Sequence, residues 1–375
     1  MLQSRKRTIM RLKKLISIFT IALAISVTGC QSKQPSTENQ GNVSGEENKT
    51  PTSGEDTQGG EGQGQEGQNQ EPEVQYPITV KHAFGETIIE SKPEKVAAIG
   101  WGNPDVALAL GVTPVGLSKS TYGVLDGSGL LPWAKEAFEN LGVDSPVLFN
   151  DTDGLDFEAI SDVQPDVILA AYSGITEEEY NLLSAITPVV AYPDIPWRTY
   201  WREQILLNAA GMGMEKEGQQ LVSDLETLIA DKVTAYPQLA GKKVAFTYIM
   251  PSNLSMFYLY VPTDPRMEYL VDLGMEIPES VTTLGKDATG FFIEVSAEQV
   301  DILNDVDIMI TYGTSDLLGI LQADSLLGTI PAIANGSVVV IEDGTPLAAA
   351  CTPSVLSIPA TVDEYLSLIG EVVNK

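Results

Sequence analysis

Trp101 stands between two glycines in GWGNPD, where the apolar run KVAAI gives way to a helical pattern. A strand, two glycines and a helix start are the parts of a dinucleotide site, whose G-x-G-x-x-G fingerprint puts a pyrophosphate on the helix N-terminus. Here the third glycine is replaced by Asp105. A carboxylate at that helix end already satisfies the dipole and repels an anion, which argues against phosphate. Ligands of open α/β sheets bind beyond the carboxyl ends of the strands, the place this turn occupies. An aromatic there suits a large, partly apolar ligand.

The other chemistry-bearing residues point the same way. His82 is the only histidine and lies in an early strand pair, so a Ser–His–Asp or Cys–His nucleophile has no imidazole at a strand-end loop. Cys30 and Cys351 are the only cysteines, which leaves no disulfide framework and no Cys₄ zinc site. Aromatics recur at strand ends instead: Tyr122, Tyr172, Trp197, Phe292 with Phe291, and Tyr312. Singly, each is accounted for by core or rim packing; as a set they outline an apolar-walled small-molecule cleft. Arg198 and Arg202 follow Trp197 in PWRTYWRE, and Arg266 sits in the first turn of a helix. Each guanidinium either pairs with a neighbouring carboxylate or grips ligand oxygens in two-pronged fashion.

These residues need a scaffold. Setting aside the six cations of residues 1–29, the chain carries 16 basic against 51 acidic side chains, so a phosphate backbone would be repelled and no nucleic-acid partner is expected. After ITVKHAFGETIIES, a strand pair, apolar runs alternate with helical patterns, the signature of parallel sheet with helices on its faces. One helix is expected to open at Asn103 as N-cap with Pro104 in its first turn. The longest helical pattern runs from Met214 to Tyr236 and stops at Pro237. The alternation then restarts at KKVAFTYIM. Asp264-Pro265 echoes Asn103-Pro104, and Glu158 precedes Tyr172 by the same spacing as Glu298 precedes Tyr312. The reading is α/β: two Rossmann-like lobes with mainly parallel sheets, joined by one long rigid α-helix, with the ligand cleft between the lobes. The first lobe takes 76–205, a connecting helical segment 206–239 and the second lobe 240–375.

The stretches KPEKVAAIGWGNPDVALALGVTPVG, LDFEAISDVQPDVILAAYSG, VAYPDIPWRTYWRE, TDPRMEYLVDLG and SAEQVDILNDVDIMITYG resemble, in order and spacing, the helical-backbone class of bacterial solute-binding lipoproteins that feed ABC importers. That class includes ferric-siderophore, haem and cobalamin binders, and the wording is nearest the ferric-siderophore branch. The resemblance implies a non-enzymatic monomer that binds a ferric siderophore, has no intrinsic cofactor, and carries iron only inside the organic chelator. The histidine-rich metal sites of other branches have no counterpart in a chain with one histidine. It further implies that Glu158 and Glu298, one on each lobe, dock on arginines of a permease dimer. Their plainer role is to stabilise a helix first turn through its dipole. Haem or cobalamin as cargo, a two-domain transferase using Asp105 or Asp316 as base, and an adhesion lipoprotein with an idle cleft are the alternatives.

The N-terminus fits an exported protein. Six cations precede an apolar run from Leu15 to Val27, about half the ~20 residues that span a bilayer, so residues 1–29 read as a signal peptide. VTGC at 27–30 resembles a lipobox, which implies that Cys30 is lipid-modified and attaches the protein to the outer face of the cytoplasmic membrane. Residues 31–75 are rich in Gln, Gly, Glu and Ser; that composition predicts a disordered tether.

Overall fold

The computed structural model describes residues 74–373; the signal peptide, Cys30 and nearly all of the tether lie outside them. Among the described residues no helix is long and apolar enough to cross a membrane. The chain opens with an antiparallel hairpin, β1 (Ile78–His82) and β2 (Gly85–Ile89), as the alternation of ITVKH and GETII dictates. His82 is buried within it, its Nε2 2.9 Å from Thr87 Oγ1, and takes no part in any strand-end loop.

The first lobe is built on five strands: β3 (Val96–Ala98), β4 (Gly116–Ser118), β5 (Leu148–Phe149), β6 (Val167–Ala170) and β7 (Val189–Ala191). They lie in the order β5-β4-β3-β6-β7, and every pairing is parallel. Strands buried on both faces must be apolar throughout, which is why VAA and VILA show no alternation. The second lobe uses β8 (Val244–Tyr248), β9 (Met256–Tyr260), β10 (Phe292–Ser296), β11 (Ile308–Gly313) and β12 (Val338–Glu342), in the order β10-β9-β8-β11-β12. Each lobe thus arranges its third, second, first, fourth and fifth strands in the same sequence across the sheet. The repeat is not complete: β9 pairs antiparallel with both β8 and β10. Glu158 and Glu298 occupy matching slots, each on the helix that leads into the lobe's fourth strand. Asp264-Pro265 does not match Asn103-Pro104, because its helix follows the lobe's second strand rather than its first.

Two helices join the lobes. Trp201–Gly211 begins within the stretch assigned to the first lobe, and Glu215–Val233 supplies the long strut, about 28 Å at 1.5 Å per residue. Both helices are packed into the core that the lobes share. One continuous apolar core includes Val106 and Val167 of the first lobe, Trp201, Ile205, Leu225 and Ile229 of the connecting helices, and Phe246 and Ile310 of the second lobe. A hinge through that core would have to open close-packed side chains.

Candidate functional site

The GWG turn is built to hold an indole. Gly100 (φ 79°) and Gly102 (φ 68°) both take the left-handed conformation that side chains resist. A Cβ on Gly100 would stand 2.6 Å from the Tyr172 carbonyl oxygen, so only glycine lets the two strand ends approach. The Trp101 N–H donates to that same carbonyl at 3.1 Å, tying the end of β3 to the end of β6. These are the two strands at which the sheet order reverses, where α/β sheets place their ligand crevices.

Beneath the turn lies Asn103, which is not the N-cap expected from the sequence. Gly102 takes that position, and the Asn103 side chain is fully buried inside the first turn. Its Nδ2 donates to the Ile99 and Tyr172 carbonyls (2.6 and 3.0 Å). Its Oδ1 accepts from Tyr172 N–H, Gln204 Nε2 and Asn208 Nδ2 at 2.9–3.1 Å. Gln204 Nε2 also reaches the Trp101 carbonyl at 2.7 Å. The connecting helix therefore fixes the turn directly.

Asp105 is buried and accepts from Trp133 Nε1 (3.0 Å) and from Ser354 Oγ, a residue of the second lobe. Burial pushes its carboxyl up to about 6, against the pull of these two donors. No anion could sit beside it, which agrees with the sequence argument against phosphate. Neither does it face a cleft as a general base would.

Between the lobes lies a cavity of about 210 Å³. Trp101, Tyr122, Tyr172 and Trp197 line it from the first lobe; Arg266, Phe291, Ala348, Ala349 and Thr352 line it from the second. Trp197 adopts φ 59°, a strained conformation for a bulky residue. Its N–H donates to the Ser173 carbonyl at 3.1 Å, and its ring meets Tyr172 edge-on with centroids 5.4 Å apart. Tyr122 Oη donates to Asp343 Oδ1 at 2.6 Å, linking the lobes at the cavity wall. Burial, and after it that carboxylate, push the Tyr122 phenol upward.

Arg266 supplies the cavity's cation. Its Nη1 donates to both oxygens of the fully buried Asp264 (3.1 and 2.9 Å), and its Nε donates to Tyr312 Oη at 2.9 Å. The guanidinium carbon lies 4.6 Å from the Tyr260 ring centroid. Burial raises the Asp264 carboxyl and the guanidinium beside it pulls it back. Among the described residues Nη2 has no hydrogen-bond partner, so this edge is left for whatever enters. Because Asp264 balances the charge, the site presents an aimed donor with little net field.

Several expected residues stand elsewhere. Tyr312 is buried behind Arg266 and positions it rather than lining the cavity. Phe292 points away, packing on Tyr258 at 4.9 Å between centroids, and Phe291 takes its place; neighbours on an extended chain face opposite sides. Arg198 is half-buried and outside the lining. Arg202 is committed to protein carboxylates: Nη1 and Nη2 to Asp272 (2.8 and 2.9 Å), Nη1 to Glu268 (3.1 Å) and Nε to Glu226 (2.7 Å). It locks the first connecting helix to the helix Pro265–Asp272, with four of its five N–H donors engaged by protein carboxylates, and it is not part of the cavity lining. Ala348, Ala349 and Thr352 were absent from the sequence reading. The small residues of PLAAACT, placed straight after β12, were the available sign that a helix end leaves room there.

Glu158 and Glu298 are both exposed. Asp156 and Ser296 cap their helices, accepting from Ala159 N–H (3.0 Å) and Glu298 N–H (3.3 Å), so neither glutamate serves as the cap itself.

The family model for periplasmic binding proteins matches residues 96–344. The chain is 50% identical to PiaA of Streptococcus pneumoniae TIGR4, solved in complex with ferrichrome; the match covers 79% of this chain and 98% of that one, with a TM-score of 0.76. It is 25% identical over 233 residues to the probable siderophore-binding lipoprotein YfiY of Bacillus subtilis, which is 61% of this chain and 66% of that protein. SirA of Staphylococcus aureus, complexed with staphyloferrin B, shares the fold at 22% identity and a TM-score of 0.60, over 78% of this chain and 98% of that one. The strand order, the interlobe cavity and a family match across both sheets converge: this chain belongs to the periplasmic binding protein family.

Proposed function

We propose that this protein captures an iron(III)–siderophore complex between its lobes and delivers it to the permease of an ABC importer. The observation that carries this reading is the cavity in which one charge-balanced guanidinium, Arg266, faces a mainly aromatic wall. A ferric chelate offers what such a site needs: a large partly apolar surface and clustered oxygen acceptors. Because Asp264 neutralises Arg266 and Arg202 is consumed by Asp272, Glu268 and Glu226, the site favours a chelate of low net charge. Iron(III) wrapped by three hydroxamates is neutral, and ferrichrome, the ligand of the 50%-identical relative, is of that kind. Iron is cargo here, with no resident cofactor and no catalytic step.

Two further parts of the reading lie outside the cavity. Cys30 carries the lipid that holds the protein on the outer face of the membrane, and Cys30→Ser should release it into the soluble fraction with ligand affinity intact. Glu158 and Glu298, on matching slots of the two lobes, meet equivalent subunits of the permease. Titrating the purified protein with ferrichrome, ferric staphyloferrin B, haem and cobalamin, followed by tryptophan fluorescence, tests the cargo. Saturable binding of ferrichrome is expected; binding of haem or cobalamin alone would replace this reading with its nearest alternative.

A further inference from the structure

A second cavity, of about 330 Å³, adjoins the first and shares two walls with it, Trp101 and Trp197. It lies wholly in the first lobe, beyond the ends of β4, β5 and β6, and its character differs from that of the aromatic chamber. Lys119, Ser120 and Thr121, three consecutive residues leaving β4, line it. So do two carboxylates, Asp151 and Glu179.

What these groups already do decides what the chamber lacks. Asp151 accepts the Ser118 hydroxyl, which in turn accepts from Gly100 N–H at 3.2 Å, and a backbone N–H at 3.4 Å. Glu179 closes a capping box with Thr176, accepting from its backbone N–H at 2.7 Å and its hydroxyl at 3.0 Å. The two acids are thus engaged with the protein. Among the described residues Lys119 makes no ion pair, and the side chains of Ser120 and Thr121 make no hydrogen bond. The backbone of Lys119 and Ser120 is nonetheless fixed. Lys119 N–H donates to the Phe149 carbonyl and Ser120 N–H to the Gly129 carbonyl, both at 2.9 Å. Gly129 (φ 81°) also leaves a slot for the lysine stem: a Cβ there would stand 2.7 Å from Lys119 Cγ. Three consecutive donors, two of them exposed and Ser120 half-buried, thus line the chamber without a partner among the described residues, beside two acids already engaged by the protein.

We propose that this chamber is a subsite for the uncharged, carbonyl-bearing backbone of the chelator, which passes the Trp101–Trp197 wall while the metal-binding head occupies the aromatic chamber. Its carbonyl oxygens accept from Lys119, Ser120 and Thr121. The inference rests on the ferric-siderophore reading and adds how chelators with the same head group are told apart.

The test compares two neutral ferric hydroxamates: ferrichrome, whose hydroxamates hang from a cyclic peptide, and iron(III) tris(acetohydroxamate), which has no backbone. Lys119→Met and the double variant Ser120→Ala/Thr121→Val are titrated beside wild type, with thermal midpoints confirming that the fold is intact. Each variant should weaken ferrichrome about fivefold or more, the worth of one or two net hydrogen bonds, and leave the small chelate within about twofold. Unchanged ferrichrome affinity in both variants, or equal losses for the two chelates, would overturn the subsite while the function stands. If the wild-type protein binds no small chelate, the ferrichrome result alone decides. Failure of wild type to bind ferrichrome would remove the functional reading, and the subsite with it.

Discussion

Gly174 has no side chain, and the indole of Trp197 fills the place where one would be. A Cβ built on Gly174 would lie 2.2 Å from Trp197 Nε1 and 2.6 Å from Cε2. This contact explains how a tryptophan at φ 59° persists: the ring is received in a glycine slot and held edge-on by Tyr172. Strain of this kind survives only where the surroundings over-determine it.

Gly174→Ala should therefore push Trp197 out of the wall shared by the two chambers. Gly174 itself keeps a negative φ, so alanine strains no backbone. The expected result is a ligand affinity lower by ~1–3 kcal/mol, the range for a displaced aromatic anchor, with an altered tryptophan emission and little loss of thermal stability. Titration and emission spectra of the variant check this; an unmoved spectrum with normal affinity would contradict it.

Arg266 and Asp264 are expected to separate stability from binding. Arg266→Met alone leaves a buried carboxylate without its partner and should destabilise the protein by about 3–5 kcal/mol. Adding Asp264→Asn removes that charge and should restore most of the stability. Ferrichrome affinity should stay low in the double variant, because the free Nη2 edge is gone. Denaturant melts paired with titrations measure both; recovery of affinity together with stability would show that Arg266 only scaffolds the site.

Asp105 predicts a pH dependence of definite sign. Its carboxyl titrates at about 6 in the fold and near 4 when unfolded, so between these values the folded protein binds the extra proton. Its contribution to stability is fullest below about pH 4 and is lost as pH rises towards 6, by roughly 3 kcal/mol at most. Asp105→Asn, which still offers an oxygen to Trp133 and Ser354, should flatten this part of the stability curve and not weaken the protein at pH 7. A steeper curve in the variant would contradict the assignment.

Glu158→Arg/Glu298→Arg should abolish uptake in cells while leaving ligand affinity and melting temperature near wild type. Both side chains are exposed, and neither is the cap of its helix, so the fold loses only a weak dipole interaction. Exposed charges of this kind set orientation and encounter rate more than affinity. Transport at the wild-type rate would leave the glutamates with the dipole role alone.

The fold was legible because its signals are local. Apolar runs such as VILA, the break at Pro237 and the equal spacing from Glu158 to Tyr172 and from Glu298 to Tyr312 need no knowledge of distant partners. Trp101 was legible for the same reason, since GWG followed by an acid is a turn that refuses phosphate. The errors arose where a residue's role depends on something far along the chain. Asn103 looks like a cap until Gln204 and Asn208 arrive from the connecting helix, and Arg202 stays open between ligand and carboxylate until Asp272 and Glu268 pack beside it. Phe292 was one residue out of phase, because nothing in FF tells which ring turns inwards. The Gly174–Trp197 slot and the Asp105–Ser354 bond across the lobes left no mark in the sequence. Both are matters of packing between segments that the sequence does not juxtapose.

The central claim is that a charge-balanced arginine in an aromatic cleft selects a ferric chelate of low net charge. The most direct measurement is a side-by-side titration of the protein with neutral ferrichrome and with an anionic ferric siderophore such as the staphyloferrin B complex, at one ionic strength and again in high salt. Saturable one-to-one quenching by ferrichrome, at least about tenfold tighter than the anionic complex and nearly insensitive to salt, is the predicted result. Tighter, salt-sensitive binding of the anionic complex, or no binding of either, would contradict it.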